Sequence, residues 1–174
     1  KRDFALPQPD FKKVCLTNEQ QAAADNLMAK VENGFSVTLI DGVTGSGKTE
    51  VYFEAAAKTL ALGKQVLILV PEISLTTQWL ARFEQRFGVR PACWHSGLGT
   101  RERADTWLAA AEGRVQVMVG ARSALFLPYP NLGLIVIDES HDHSFKQEDF
   151  VNYQCRDMAV VRAKMEHFPL VLST

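Results

Sequence analysis

The sequence predicts an α/β fold with a mostly parallel central sheet and helices on both of its faces. Apolar runs typical of buried strands alternate along the chain with segments of helical periodicity. A glycine-rich loop lies between one of these runs and the helix that follows it. Such alternation favours parallel strands joined by right-handed crossovers. The predicted strands are "FSVTLID", "KQVLILVPE", "PACWHSG", "VQVMVG", "LGLIVIDE" and "PLVLS".

Helices are predicted where apolar residues recur at helical spacing between start and stop signals. The first, "LTNEQQAAADNLMAKVENG", can be capped by Thr17 or Asn18 and closed by Gly34. The others are "KTEVYFEAAAKTLALG", "ISLTTQWLARFEQRFG", "TRERADTWLAAAEG" and "CRDMAVVRAKMEH". Residues 1–15 carry two prolines among charged residues and predict a linker or arm, which leaves residues 16–174 as one domain.

Composition excludes several classes of protein. A chain of 174 residues corresponds to about one domain, and a net charge of −1 means that any site for a polyanion must be local. The three cysteines are far apart and form no C-x-x-C pattern, which supports neither a disulfide framework nor a zinc knuckle and favours reduced, cytosolic thiols. No apolar run approaches the ~18–20 residues that span a bilayer. The chain starts without a methionine and stops on an apolar run, which predicts a piece of a longer protein.

The glycine-rich loop in "GVTGSGKTEVY" has the spacing G-x-x-x-x-G-K-T. Glycines allow a tight turn whose N–H groups point at phosphate oxygens, and the dipole of the following helix adds to this attraction. Lys48 can reach the β- and γ-phosphates, and the Thr49 hydroxyl can bind Mg²⁺. The loop therefore predicts a nucleotide site for ATP with Mg²⁺, formed by Gly42, Val43, Thr44, Gly45, Ser46, Gly47, Lys48 and Thr49.

Two acids follow the predicted strand in "LGLIVIDESH". Asp138 and Glu139 come at its carboxyl end, the edge at which open α/β sheets bind their ligands. Asp138 would hold Mg²⁺ directly or through a water, and Glu139 would orient and deprotonate the attacking water. By themselves, two acidic residues at the end of a strand are usually solvent-exposed side chains without a catalytic role. Beside a complete phosphate loop, they predict nucleotide hydrolysis.

The segment Asp138–His141 reads D-E-x-H and resembles motif II of the superfamily-two helicases. "LTNEQ" resembles their Q-motif, in which Gln20 would contact the adenine edge. "LVPEISLT", "HSGL", "GARSALFLP" and "DESHDHSFKQED" follow in order. From about residue 16 onward the chain therefore resembles the bacterial primosomal replication-restart helicases, the PriA family. The resemblance implies a P-loop NTPase domain of the RecA-like kind, the first of two in the motor, with catalytic roles for Lys48, Asp138, Glu139 and His141.

The resemblance also implies an ATP-driven 3′-to-5′ DNA motor that restarts replication at stalled forks in a bacterial cytoplasm, at the nucleoid. Its expected partners are forked or single-stranded DNA, primosome proteins and single-stranded DNA-binding protein, with no membrane. The second motor domain, further DNA-binding regions and a zinc-binding module would lie outside this chain, and zinc is expected only there. We therefore expect the chain alone to bind nucleotide, to hydrolyse it slowly and not to unwind DNA.

Two positions depart from the family pattern. Ser140 stands at the third position of a DEEH box, and Ala121 stands where "GTRSA" has a threonine. The matching residues of the box still carry over Mg²⁺ binding and water activation. The change at residue 121 removes one hydroxyl that could touch a DNA phosphate.

Candidate DNA contacts come from three segments. In "PEISLT", which resembles motif Ia, Ser74 and Thr76 could donate to phosphates, although Ser74 would serve equally well as a helix N-cap. In "GARSA", near motif Ib, Arg122 and Ser123 pair a cation with a hydroxyl at a predicted helix start. The segment after motif II carries aromatic rings that could stack on unpaired bases or instead cap the core. Its candidates are Phe145, Lys146, Phe150 and Tyr153.

Other interpretations stay open. Arg82 and Arg86 share a predicted helix face, and intrahelical ion pairs on a solvated surface explain them better than DNA does. The chain could belong to another superfamily-two translocase, RecG-like or restriction-type. It could also be a docking module whose ATP site is structural. A P-loop kinase is disfavoured, because no segment resembles an acceptor lid and D-E-x-H is not the usual kinase signature.

Overall fold

A computed structural model describes residues 2–71, 75–140, 146–147 and 153–174, with the backbone alone described at 146, 147 and 153. In this part of the chain, six strands form one parallel sheet: β1 (Ser36–Ile40), β2 (Gln65–Leu69), β3 (Ala92–Trp94), β4 (Val117–Gly120), β5 (Leu132–Ile137) and β8 (Pro169–Ser173). Their order across the sheet is β1-β8-β5-β2-β4-β3. All six lie within the predicted segments, so the α/β prediction is confirmed.

The helices also agree with the predicted segments. They are α1 (Asn18–Val31), α2 (Lys48–Ala61), α3 (Thr77–Phe87), α4 (Thr100–Ala111) and α5 (Cys155–Glu166). Thr17 caps α1 in a capping box, and Gly63, just after α2, has a left-handed φ of 73°. The start of α3 is later than the pattern suggested, because Thr76 is its N-cap and accepts a hydrogen bond from the Trp79 N–H at 3.3 Å.

Three short elements are not among the predicted strands and helices, although a helix start was expected at Arg122 and Ser123. Residues Arg122–Phe126 form a 3-10 turn directly after β4. Strands β6 (Lys146–Gln147) and β7 (Tyr153–Gln154) form a small antiparallel pair between β5 and α5. Elements of two to five residues are too short to show a period, so apolar spacing could not find them.

Helices cover both faces of the sheet. On one face residues of α1, α2 and α3 form a core cluster that includes Leu134 and Val136 of β5. On the other face residues of α4, α5 and the 3-10 turn form a second cluster that includes Ile135 and Ile137 of the same strand. Because successive side chains of a strand point to opposite faces, a strand that is buried on both sides must be apolar throughout. All six residues of β5 are buried, as this requires.

The segment before α1 lies along the domain, although its described residues form no helix or strand. The Gln8 N–H donates to the Phe87 carbonyl at 3.0 Å, and an Arg86 N–H donates to the Pro9 carbonyl at 2.6 Å. Pro7 is buried. The segment therefore packs on the end of α3.

The interpretation of the α3 arginines as a solvated face with intrahelical ion pairs was wrong. Arg86 is only 2% exposed, and it pairs with Glu54 of α2 at 3.1 Å. Arg82 pairs with Glu50, also on α2. Both arginines thus bind carboxylates of the neighbouring helix, because the aromatic residues of α3 pack on Phe53 of α2 and bring the arginines beside Glu50 and Glu54. Helical spacing shows which residues share a face but not which helix that face meets.

Strand β1 forms one edge of the described sheet, since it pairs with β8 alone. Val37 and Leu39 lie opposite Leu170 and Leu172 in the parallel register and therefore on the same face of the sheet. Leu39 is nevertheless 59% exposed. The helix on that face covers the middle of the sheet better than this edge.

We predict that Arg86→Ala lowers the free energy of unfolding by about 3 kcal/mol, because it leaves the Glu54 carboxylate largely buried without its partner. Urea unfolding followed by circular dichroism measures this. Arg90→Ala is the matched control, since the ion pair between Arg90 and Glu84 is solvent-exposed and its loss should cost less than about 1 kcal/mol. Equal losses in the two variants would contradict the role given to Arg86.

Candidate nucleotide site

The phosphate loop lies at the carboxyl end of β1 and runs into the first turn of α2. Gly45 and Gly47 have left-handed backbone, with φ of 82° at each, and Gly47 is the N-cap of α2. The Ser46 N–H donates to the Val43 carbonyl at 3.1 Å, which closes the turn. The helix thus begins where the loop ends, as an anion-binding loop requires. The predicted strand–loop–helix context of the loop is present.

Lys48 extends back over the loop that precedes it. Its ammonium group donates to the carbonyl of Gly42 and, at 3.1 Å, to that of Val43. The charge is therefore held at the mouth of the loop. A phosphate group at the α2 N-terminus would compete with these neutral carbonyls for the ammonium group, and charge-assisted hydrogen bonds are the stronger kind.

Gln20 ties α1 to the phosphate loop. Its side-chain oxygen accepts from the Thr17 N–H at 2.9 Å and completes the capping box of α1, while its NH₂ group donates to the Ser46 carbonyl at 2.8 Å. That NH₂ group also fills the space that a side chain on Gly47 would need. Gln20 thus supports the loop from behind. Its contact with an adenine edge stays a prediction.

Asp138 and Glu139 follow β5 at the same edge of the sheet. The Asp138 N–H donates to the Leu69 carbonyl at 2.8 Å, so the pairing with β2 extends to the acid. One carboxylate oxygen of Asp138 accepts from the Glu139 N–H at 2.9 Å. Glu139 has a left-handed φ of 50°, an uncommon conformation for a residue with a side chain. Backbone strain of this kind concentrates at functional sites. The conformation of Glu139 also changes the direction of the chain directly after Asp138.

Tyr52 is a member of the site that sequence reasoning missed. Its hydroxyl donates to the other carboxylate oxygen of Asp138 at 2.8 Å and accepts from the indole N–H of Trp79 at 3.0 Å. Burial, then the charge of Asp138, raises the pKa of Tyr52 well above its usual value, while hydrogen bonds from Trp79 and Thr49 oppose the shift. The spacing of Thr49 and Tyr52, three residues apart, places them on one face of α2, but it does not indicate the contact with Asp138.

These groups surround one cleft of about 460 Å³. Its walls come from the phosphate loop, from the acids after β5 and from the first turns of α3. They include Lys48, Thr49, Thr76, Trp79, Arg82, Asp138 and Glu139. A cleft of this size with loop N–H groups, an ammonium, a hydroxyl and a carboxylate has the donors that phosphate needs and the oxygen ligands that Mg²⁺ prefers. The residues present therefore fit a nucleotide with its metal ion.

The candidate DNA contacts that the structure describes are in two places. Thr76 lines the nucleotide cleft, and its hydroxyl oxygen caps α3, the structural role considered for Ser74. Arg122 and Ser123 open the 3-10 turn after β4, two strands away from β5 in the sheet. The Ser123 hydroxyl accepts from the Trp94 indole N–H at 3.1 Å, which leaves its own hydrogen for another acceptor.

The structure does not describe the side chains of the remaining candidates. Ser74, His141, Phe145 and Phe150 lie outside the described residues. Only the backbone is described at Lys146 and Tyr153, which belong to the paired strands β6 and β7. Their roles stay predictions.

Comparison with known protein families identifies the family of the chain. Residues 17–173 match the family described as DEAD/DEAH box helicase. The chain belongs to that family. The fold of the chain is RecA-like: a sheet of six parallel strands has helices on both of its faces. The predicted P-loop NTPase class is thereby confirmed.

Several curated relatives are replication restart proteins named PriA. The chain is 46% identical to that of Bacillus subtilis over 160 residues, which is 91% of this chain and 20% of the relative. It is 50% identical to that of Rickettsia conorii over 170 residues, which is 98% of this chain and 24% of the relative. The predicted resemblance to PriA is confirmed, and the chain spans about a fifth to a quarter of the length of these relatives.

Solved structures agree on the fold. RecG bound to a three-way DNA junction matches with a TM-score of 0.67 at 24% identity, over 94% of this chain and 21% of that one. The Hef helicase domain of Pyrococcus furiosus matches with a TM-score of 0.61 at 21% identity, over 97% of this chain and 34% of that one. Within the described residues, no helix has the length and apolar character that a membrane crossing needs.

We predict that Gln20→Ala lowers the free energy of unfolding by about 1–2 kcal/mol, because it removes half of the capping box and the bond to the Ser46 carbonyl. Thermal and urea unfolding test this. Gln21→Ala is the matched control on the same helix, since its amide makes only an exposed bond to Asp25 and should matter by less than about 0.5 kcal/mol. If the two variants unfold alike, Gln20 does not support the loop.

Proposed function

We propose that the chain is the first motor domain of an ATP-dependent, 3′-to-5′ DNA helicase that acts in replication restart. One observation carries this proposal. The phosphate loop after β1 and the acids after β5 line the same cleft, and Tyr52 of the helix that follows the loop donates a hydrogen bond to Asp138. This is the arrangement that a nucleoside triphosphatase needs. The identity with PriA proteins of bacteria supports the choice of replication restart among helicase functions.

The residues present assign the binding roles. The loop N–H groups from Gly42 to Thr49 and the ammonium group of Lys48 would hold the phosphates. The Thr49 hydroxyl and the Asp138 carboxylate would hold Mg²⁺. When bound, ATP with Mg²⁺ supplies a phosphoanhydride bond whose cleavage can drive a conformational change. Arg82 reaches the cleft wall from α3, and Glu50 neutralises its charge in the present arrangement.

Glu139 would handle the attacking water. It is exposed at the cleft, beyond the last residue of β5, and its left-handed backbone turns it away from the strand direction. A carboxylate placed there can accept a proton from a water and orient it toward a phosphate. His141 is proposed to assist in this motif, as the D-E-x-H pattern implies.

DNA is the proposed polymer. Thr76, Arg122 and Ser123 lie after β2 and β4 at the edge of the sheet where the nucleotide binds, and backbone phosphates are their proposed ligands. Ser74, Phe145, Lys146, Phe150 and Tyr153 extend this set. Primosome proteins and single-stranded DNA-binding protein are proposed partners of the longer protein, in a bacterial cytoplasm. Zinc is proposed only for parts of it outside this chain.

The domain arrangement is a proposal as well. Residues 16–174 are proposed as one RecA-like motor domain and residues 1–15 as the arm that leads into it. Without a second motor domain across the cleft, the chain should bind nucleotide and turn it over slowly. The RecG structure shares the fold at 24% identity, whereas the identity with the PriA protein of Bacillus subtilis is 46%, which supports the choice of a PriA-type motor over a RecG-like one.

We predict that Lys48→Ala weakens the binding of fluorescent ADP in the presence of Mg²⁺ by about 10- to 100-fold, because a charge-assisted contact with phosphate is lost. Fluorescence titration of the purified chain measures this. Lys58→Ala is the matched control, since Lys58 lies at the other end of α2 and pairs with Glu32. Equal affinity in the unaltered chain and the Lys48 variant would refute the phosphate cradle.

We predict that Glu139→Gln lowers single-turnover ATP hydrolysis at least about 100-fold and leaves ADP binding unchanged, since a general base contributes about that much. The exposed Glu102→Gln serves as the control. The result separates a motor from a docking module. A docking module with a structural ATP site would show no turnover for the substitution to remove.

A further inference from the structure

Tyr52 is buried, yet its hydroxyl reaches the nucleotide cleft through Asp138. The residue itself is 0% exposed, while Asp138 is partly exposed and lines the cleft. The direction of each hydrogen bond is fixed by chemistry. An indole N–H can only donate, so the Tyr52 oxygen accepts from Trp79 at 3.0 Å. An ionised carboxylate can only accept, so the Tyr52 proton points at Asp138 at 2.8 Å.

The Asp138 carboxylate is thereby held at both oxygens. Tyr52 donates to one of them, and the Glu139 N–H donates to the other at 2.9 Å. Two hydrogen bonds on different oxygens fix the rotation of the group and leave at least one lone pair on each oxygen. Because Asp138 lines the cleft, the remaining lone pairs are available to a ligand that binds there. The carboxylate is therefore oriented before any ligand binds.

Trp79 holds the tyrosine hydroxyl in turn. Its indole ring stacks on Phe83 with centroids 5.8 Å apart and meets the edge of Phe53 at 5.7 Å. The first turn of α3 around it is capped by Thr76. The orientation of Asp138 thus depends on α3 through two consecutive hydrogen bonds, and α3 is a wall of the cleft.

We propose that Tyr52, held by Trp79, is a positioning residue that sets the affinity of the site for Mg²⁺ by orienting the Asp138 carboxylate. The inference rests on the proposed function, because it takes Asp138 as the metal ligand. Groups that hydrogen-bond a metal ligand from behind commonly change metal affinity by about 10- to 100-fold when they are removed. Tyr52 contacts no nucleotide in this scheme. It acts through the Asp138 carboxylate, to which its hydroxyl donates.

Tyr52→Phe tests this, since it removes the hydroxyl and keeps the ring. In the purified chain, fluorescent ADP is titrated without Mg²⁺ and then at fixed ADP with increasing Mg²⁺. We expect the affinity for ADP alone to stay unchanged and the Mg²⁺ concentration for half-maximal binding to rise about 10-fold. Trp79→Phe should shift the same Mg²⁺ midpoint in the same direction, by less.

Tyr129→Phe is the matched control. Tyr129 is also a buried tyrosine, and its hydroxyl donates to the Ala124 carbonyl at 2.9 Å, away from the nucleotide cleft. Its loss should leave the Mg²⁺ midpoint where it was. In the background of Asp138→Asn, adding Tyr52→Phe should bring no further shift, because the carboxylate through which Tyr52 acts is already gone.

The possible outcomes distinguish a failure of the Tyr52 inference from a failure of the proposed function. An unchanged Mg²⁺ midpoint in Tyr52→Phe overturns the inference and leaves the proposed function standing. An equal loss of affinity for ADP with and without Mg²⁺ also overturns it, since that pattern means a merely structural tyrosine. Failure of the unaltered chain to bind ADP at all would refute the proposed function, and the inference would fall with it.

Discussion

The insertion of β8 between β1 and β5 is the constraint on which the site depends. The strand that leads into the phosphate loop and the strand that ends at Asp138 are not neighbours, and each pairs in parallel with β8 instead. The pairing continues past the strand ends, because the Thr174 N–H donates to the Ile40 carbonyl and the Ser140 N–H donates to the Ser173 carbonyl. One strand width therefore separates the loop from the acid. The loop and Asp138 thus line the same cleft from two strands that are not neighbours.

Much of the fold could be predicted because each element carries its own local signal. A run such as Leu132–Ile137 is apolar throughout only when both faces are buried, and the Thr17 and Gln20 capping box marks the start of a helix from four residues alone. Strand order has no such signal. Nothing in the residues of β8 says that its neighbours will be β1 and β5, since that choice is made by long-range packing across the whole sheet.

The candidate site, like the fold, has features that the sequence could predict and features that it could not. The loop and the acids were predictable because their chemistry requires particular residue types at fixed spacings, and the parallel sheet brings strand ends to one edge. The contacts behind them were not. Gln20 supports the loop as well as capping a helix, Tyr52 orients an acid that lies far away in the sequence, and Arg86 is buried against another helix. Each depends on how elements distant in the sequence pack against one another, which no local pattern encodes.

The exposed face of β1 has a consequence for handling the molecule. Its outer backbone edge has no partner strand in the described part of the chain, and Val37 and Leu39 present apolar side chains beside it. Unprotected strand edges are templates for pairing with other chains. Concentrating this domain by itself therefore favours edge-to-edge association and eventual aggregation. Charged substitutions at these two positions would be the place to begin in making it more tractable for crystallisation or spectroscopy.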